Sequence, residues 1–173
     1  MSLPSGLSAG DSLTLYDLIC GLLLQSGNDC AAAIAEHISG SQEAFAELMN
    51  TEAKQLGATG THFVNPHGLH DENHYTTTYD LYLMFNEALK DQAFLDIISM
   101  NSYTAKVTSA DGTSYTPTWQ ATNYYSAGEA TPPDGIHVYG GKTGTTDQAG
   151  NCVILYEKNH RRRTVYFRYH GRF

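Results

Sequence analysis

Near residue 100 the hydrophobic pattern of this 173-residue chain changes period, and that switch constrains the fold more than any other feature. Before it, apolar side chains recur at three- and four-residue steps. Ser12 or Thr14 can cap a helix running to about Gln25, with Leu15, Leu18, Ile19, Leu22 and Leu23 on one face. Ser26-Gly27-Asn28 breaks it, and Asn28 or Asp29 can cap a second helix through Ala31 to Ile38, stopped by Gly40. Ser41 opens a third, with Phe45, Leu48, Met49 and Leu56 on one face and Gly57 just past its end. A turn-rich stretch from Gly57 to Thr77 contains Asn65-Pro66-His67-Gly68. A fourth helix is expected from about Thr78 to Lys90, with Leu81, Phe85 and Leu89 stacked, and a short continuation from Phe94 to Ile98.

After the switch the segments are short and strand-like. Tyr103 to Val107 and Ser114 to Thr118 flank Asp111-Gly112, a strong hairpin turn signal. Ile136 to Tyr139 reads as a short strand leading into Gly140-Gly141-Lys142-Thr143-Gly144-Thr145-Thr146. Cys152 to Glu157 and Thr164 to Tyr169 read as an antiparallel pair across the polar turn Lys158–Arg163. The fold class is therefore α+β: a helical lobe over about 10–100 followed by a lobe of antiparallel strands over about 101–173, without internal repeat.

Composition narrows the partners. Eighteen acidic against ten basic residues give a net charge of -8, which repels nucleic acid and anionic lipid and leaves anionic ligands to a few local cations. No apolar run approaches the roughly 18–20 residues that cross a bilayer. Met1 to Gly10 is small and polar, without the basic start and apolar block of a secretory leader. Cys20, Cys30 and Cys152 are odd in number and lack C-x-x-C spacing, so they are expected as buried or half-buried thiols.

Two short motifs can carry chemistry. Lys142-Thr143-Gly144 is expected at the end of a strand, where Lys142 and Thr143 set a cation beside a hydroxyl, a pair that can grip a carboxylate, and the neighbouring glycines allow close approach. Ser26 and Asn28 lie two residues apart on a tight turn, where a proton-passing hydroxyl and an orienting amide can share one cleft. Either motif alone has a plain alternative, a solvated strand lysine in one case and a helix stop with its cap in the other. S-x-N followed later by K-T-G is more specific, being two thirds of the triple set of penicillin-binding proteins and class A β-lactamases.

The resemblance extends past the motifs. Leu22-Leu23-Leu24-Gln25-Ser26-Gly27-Asn28-Asp29 resembles the second motif region of the low-molecular-mass penicillin-binding D-alanyl-D-alanine carboxypeptidases. Thr61-His62-Phe63-Val64-Asn65-Pro66-His67-Gly68-Leu69 is similar to the asparagine-proline-histidine-glycine segment of that family, and Asp134-Gly135 through Thr146 resembles its third motif. The likeness covers roughly Gly10 to Ile154 and implies a β-lactamase-like transpeptidase fold. It also implies an acyl-enzyme mechanism that removes the last D-alanine of a peptidoglycan stem peptide. By that resemblance Ser26 passes protons, and Asn28 holds the S-x-x-K lysine and the substrate amide. Lys142 and Thr143 bind the terminal carboxylate, Gly144 leaves room, and the N–H of Thr145 is an oxyanion donor. The implied partners are stem peptides ending in D-Ala-D-Ala, with β-lactams as inhibitors. The implied location is outside the cytoplasmic membrane, in the bacterial envelope.

One element of the pattern is missing. No S-x-x-K occurs in the 173 residues; the nearest shape, Thr51-Glu52-Ala53-Lys54, follows S-x-N, whereas the family's nucleophile precedes it by several dozen residues. The chain is thus expected to be a fragment, inactive alone, and prone to self-association through faces that the missing part would cover. The alternative from another class is a non-catalytic cell-wall module that holds peptide carboxylates. A class A β-lactamase is disfavoured because Gly27 stands where aspartate is usual. His62, His67, His70 and His74 with Asp71 have spacings open to zinc, but the family pattern already accounts for this loop, so no metal or cofactor is expected. Arg161–Arg163 with His160 and Lys158 reads as a solvated turn. The tyrosine-rich stretch Tyr115 to Tyr125, with Trp119, reads as core rather than groove wall.

Overall fold

The computed structural model describes residues 5–159 and the backbone course of 162–170. Among the described residues five helices come first: α1 (Leu15–Gln25), α2 (Asn28–Ser39), α3 (Gln42–Gln55), α4 (Thr78–Ala88) and α5 (Gln92–Ile98). Seven strands follow among these residues: β1 (Ser102–Thr104), β2 (Val107–Thr108), β3 (Ser114–Tyr115), β4 (Thr118–Gln120), β5 (Ile136–Thr146), β6 (Gly150–Asn159) and β7 (Arg162–His170). The α+β class and the order of helices before strands hold.

Local chemistry sets the helix starts. Thr14, rather than Ser12, caps α1 in a capping box with Asp17, each side chain engaging the other's backbone N–H. Ser41, Thr77 and Asp91 accept from the backbone N–H three residues on and open α3, α4 and α5. Asp91 makes α5 a helix with its own cap rather than a continuation of α4. At α2 the expected cap is corrected: Gly27 occupies the cap position, and Asn28 is already helical. Asp29 is drawn elsewhere, its carboxylate accepting from the N–H and hydroxyl of Ser5. Leu48, assigned to the buried face of α3, is instead exposed; that helix packs through Ala46 and Ala53 with Phe45 and Met49 half-buried.

α1 is the hub among the described residues, lying against α2, α5, β1 and β4. Its Cys20 and Leu24 join Ile97, Ala105 and Trp119 in one buried cluster, and its Leu18 joins Cys30 and Ile34 in another. α1 and α2 meet at Gly21, where a Cβ would come within 2.6 Å of Cys30 Sγ. Trp119 is 2% exposed and its indole N–H donates to Ser5 O at 2.9 Å, so it belongs to the core as expected. The three thiols are unbridged, Cys20 and Cys30 buried and Cys152 half-buried.

The expected hairpin forms around Asp111-Gly112 but in two paired pieces, β1 with β4 and β2 with β3. The register runs through both, from Ser102 opposite Gln120 to Thr108 opposite Ser114. Pro117 has no N–H to give the ladder, and its carbonyl accepts from Ala105 N–H between the two pieces. β5, β6 and β7 form a separate antiparallel sheet in that order. The strand expected at Ile136–Tyr139 is longer, running eleven residues to Thr146. It continues because Gly140 lets it pass against the end of α5: a Cβ there would lie 2.0 Å from Ile98 O. The register shifts between Val138 and Gly140 at the same point. His160, Arg161 and the side chains of Arg162 and Arg163, assigned to a solvated turn, lie outside the described residues.

Candidate active site

The last turn of α1 places the first motif. Ser26 has φ 58° and ψ 39°, the only positive φ outside glycine among the described residues. The N–H groups of Ser26 and Gly27 both reach Gly21 O, which closes the helix and reverses the chain within two residues. α2 therefore starts at Asn28, and Ser26 and Asn28 line the same cleft. Gly27 between them is buried, and a Cβ there would meet Asp29, Cys30 and Ser5 at 3.0–3.1 Å. An aspartate in the middle of this motif would have to displace all three.

β5 brings the second motif to the same place. Lys142 Nζ donates to Ser26 Oγ and to the carbonyl of Thr143. Burial pulls the ammonium down from 10.5 to about 8, so the lysine is poised near neutrality of charge under mildly alkaline conditions. Lys142-Thr143-Gly144 does not end a strand, as expected from the sequence, but lies within β5, because Thr143 to Thr146 remain paired with Gly150 to Val153 of β6. Gly144 and Thr145 also line the cleft, and Thr145 Oγ1 donates to Asn151 Oδ1 at 3.1 Å. Among the described residues a Cβ at position 144 would meet only Cys152 Cβ at 3.9 Å, so none of them demands glycine there.

The third wall is the turn-rich segment after α3. Asn50 clamps it with two bonds: Asn50 Nδ2 donates to Phe63 O at 2.8 Å and Phe63 N–H donates to Asn50 Oδ1 at 2.7 Å. His62 and Tyr75 exchange backbone hydrogen bonds, and Thr61 Oγ1 donates to the buried Asp80 carboxylate at 2.7 Å, fastening the segment to α4. Inside this frame Asn65 closes its own turn, accepting from Gly68 N–H and donating to Leu69 O. His67 and His74 face the cleft, and burial holds both below the usual histidine range, with neighbouring histidines adding to the effect at His74. Their ring nitrogens serve the loop: Nδ1 of His74 accepts from Val64 N–H and Nδ1 of His67 from Leu69 N–H. Among the described residues no three His, Cys, Asp or Glu side chains gather as a metal site.

The cleft enclosed by these walls measures about 1160 Å³, ample for a peptide end. Tyr124 and Tyr125 line it while Trp119 does not, so the tyrosine-rich stretch divides between core and groove. Sequence reasoning missed Thr122, whose Oγ1 lies 2.6 Å from Thr143 Oγ1. Its place just past a strand in that stretch was the sole signal. All six residues proposed from sequence, Ser26, Asn28, Lys142, Thr143, Gly144 and Thr145, border this one cleft.

A cleft so framed can be compared with known proteins. The family profile described as D-alanyl-D-alanine carboxypeptidase matches residues 4–166. The chain belongs to that family. Among the carboxypeptidase relatives, the Bacillus subtilis D-alanyl-D-alanine carboxypeptidase DacF is 45% identical over 49% of this chain and 22% of its own length. The D-alanyl-D-alanine carboxypeptidase of Streptomyces sp. strain K15 is 35% identical over 86% of this chain and 52% of its own. In structure, the D-alanyl-D-alanine carboxypeptidase of Mycobacterium tuberculosis superposes with a TM-score of 0.82 at 30% identity, covering 98% of this chain and 61% of that one. This carboxypeptidase-family chain therefore spans about half or less of the length of those curated relatives. Its described residues contain no helix long and apolar enough to cross a membrane.

Proposed function

We propose that this chain forms the proton-transfer and carboxylate-binding side of a serine D-Ala-D-Ala carboxypeptidase. The enzyme would act outside the cytoplasmic membrane, on peptidoglycan stem peptides. The observation that carries the reading is the bond from Lys142 Nζ to Ser26 Oγ, which joins the two motifs across one cleft lined also by Asn28.

In this reading a terminal carboxylate docks against the Lys142 ammonium and the Thr143 hydroxyl, a charge-assisted arrangement that a buried site strengthens. Gly144 keeps the floor open for the peptide backbone, consistent with a glycine that no described residue demands. Ser26, hydrogen-bonded to an amine whose proton affinity burial has lowered, is placed to relay a proton to the leaving D-alanine. Asn28 at the start of α2 offers its side-chain amide to the substrate, and Thr145 N–H to the developing oxyanion. The attacking serine is supplied by an S-x-x-K segment outside these residues, since none occurs in the sequence. No acyl-enzyme then forms on the 173 residues alone, and β-lactams acylate only the protein that includes that segment.

Intact-mass spectrometry after incubation with penicillin tests this directly. The expected result is an unmodified mass for this chain and a single adduct once the upstream coding segment is joined to it. An adduct on the 173 residues would overturn the placement of the nucleophile. A complete gene that begins at Met1 and a chain that binds D-Ala-D-Ala peptides without cleaving them would establish the non-catalytic module instead.

A further inference from the structure

We propose that Thr122 is a positioning residue for carboxylate recognition, its hydroxyl donating to Thr143 Oγ1 so that the Thr143 proton turns into the cleft. The inference rests on the reading of Thr143 as a carboxylate ligand.

The two hydroxyl oxygens lie 2.6 Å apart, so one proton sits between them and its direction decides what the cleft presents. A hydroxyl has one proton to give and two lone pairs to accept with. If Thr143 donates to Thr122, only lone pairs face an entering carboxylate, and they repel it. If Thr122 donates to Thr143, the Thr143 proton is available to the ligand. The donated bond also polarises that O–H, making it a stronger donor. A carboxylate in the cleft selects the second direction.

Thr122 is held where it must be for this. Its own N–H donates to Leu24 O at 3.2 Å, in the last turn of α1 two residues before Ser26. The residues before it are also tied, Gln120 N–H to Gln25 Oε1 at 3.3 Å and Ala121 N–H to Asn101 O at 2.8 Å. After it, Asn123 is 3% exposed, donating to Ser126 Oγ and accepting from Tyr125 N–H. Thr122 thus forms a second link, beside the Lys142–Ser26 bond, between the end of α1 and β5. Its hydroxyl reports the position of one motif to the other.

The test is an NMR titration of this 173-residue chain with two probes, an N-acylated peptide ending in D-Ala-D-Ala and the same peptide amidated at its C-terminus. The wild-type chain is expected to prefer the acid form. Thr122→Val, near in shape but without a proton to donate, is expected to weaken the acid form about three- to tenfold, the effect of one hydrogen bond, and to leave the amide unchanged. Thr122→Ser should restore the acid form. Thr122→Ala runs alongside and should show the same selective loss, in case valine disturbs folding. Equal weakening of both peptides, or full retention of the acid preference in both variants, overturns the role of Thr122 while Thr143 keeps its own. A wild-type chain that binds both peptides alike removes the Thr143 reading and this inference together.

Discussion

Holding a lysine away from water penalises its charged form, and at Lys142 that penalty shows as an ammonium titrating near 8 instead of 10.5. Below about pH 8 both the folded and unfolded chains carry the proton, and the folded one bears the desolvation cost. Between about 8 and 10.5 the unfolded chain binds more protons than the folded one, so stability rises with pH across that window. Lys142→Met should therefore stabilise the chain at pH 7 by about 1–2 kcal/mol. That figure is reduced from the full pKa difference by partial exposure and by the lost bonds to Ser26 and Thr143. The gain should disappear by about pH 10.5, as urea unfolding at a series of pH values will show. A variant less stable than wild type at pH 7 would mean that those two bonds outweigh burial. Ser26 has a similar character: its left-handed backbone is one that L-residues other than glycine adopt at a cost, and the site keeps serine there.

At the scale of elements, Asn50 of α3 fastens the turn-rich wall of the cleft through two hydrogen bonds to the backbone of Phe63. Asn50→Ala leaves the N–H and C=O of Phe63 without their partners and should cost about 1–2 kcal/mol. Asn50→Asp, which can still accept from Phe63 N–H but cannot donate to Phe63 O, should fall between. Hydrogen exchange is expected to quicken across residues 61–76 in both variants and to stay unchanged in α1 and α2; exchange rising uniformly would deny Asn50 this local role. The helices were legible in the sequence because their signals are local: Thr14, Ser41 and Thr77 sit one residue before periodic runs, and Gly40 ends one. What escaped was decided by neighbours distant in sequence. Asp29 cannot be recognised as a partner of Ser5, 24 positions away, nor Thr122 as a partner of Thr143, 21 positions away. The length of β5 likewise depends on Ile98 O, against which Gly140 packs. The candidate cleft residues were readable only because two motifs were read jointly; Ser26 alone looks like any helix stop.

For the whole molecule, the sheet β5-β6-β7 has β5 as one edge, with no further strand beside it among the described residues. Open strand edges invite pairing with other chains. Exposed apolar side chains elsewhere, such as Ile38 and Leu69, each 51% exposed, add surface that a larger protein could cover. Self-association in solution is the expected outcome, with the dimer fraction growing with concentration in size-exclusion chromatography coupled to light scattering. A monomer that persists at millimolar concentration would show that this edge is protected.

Lys142 and Ser26 stand 116 positions apart in the chain. During synthesis the turn that carries Ser26 leaves the ribosome first, and its partner is polymerised only after a further interval of roughly 6–23 s at cellular elongation speeds. Through that interval Ser26 has no Lys142 to meet. The cleft consequently cannot close until β5 has been made, however early the turn that carries Ser26 has formed.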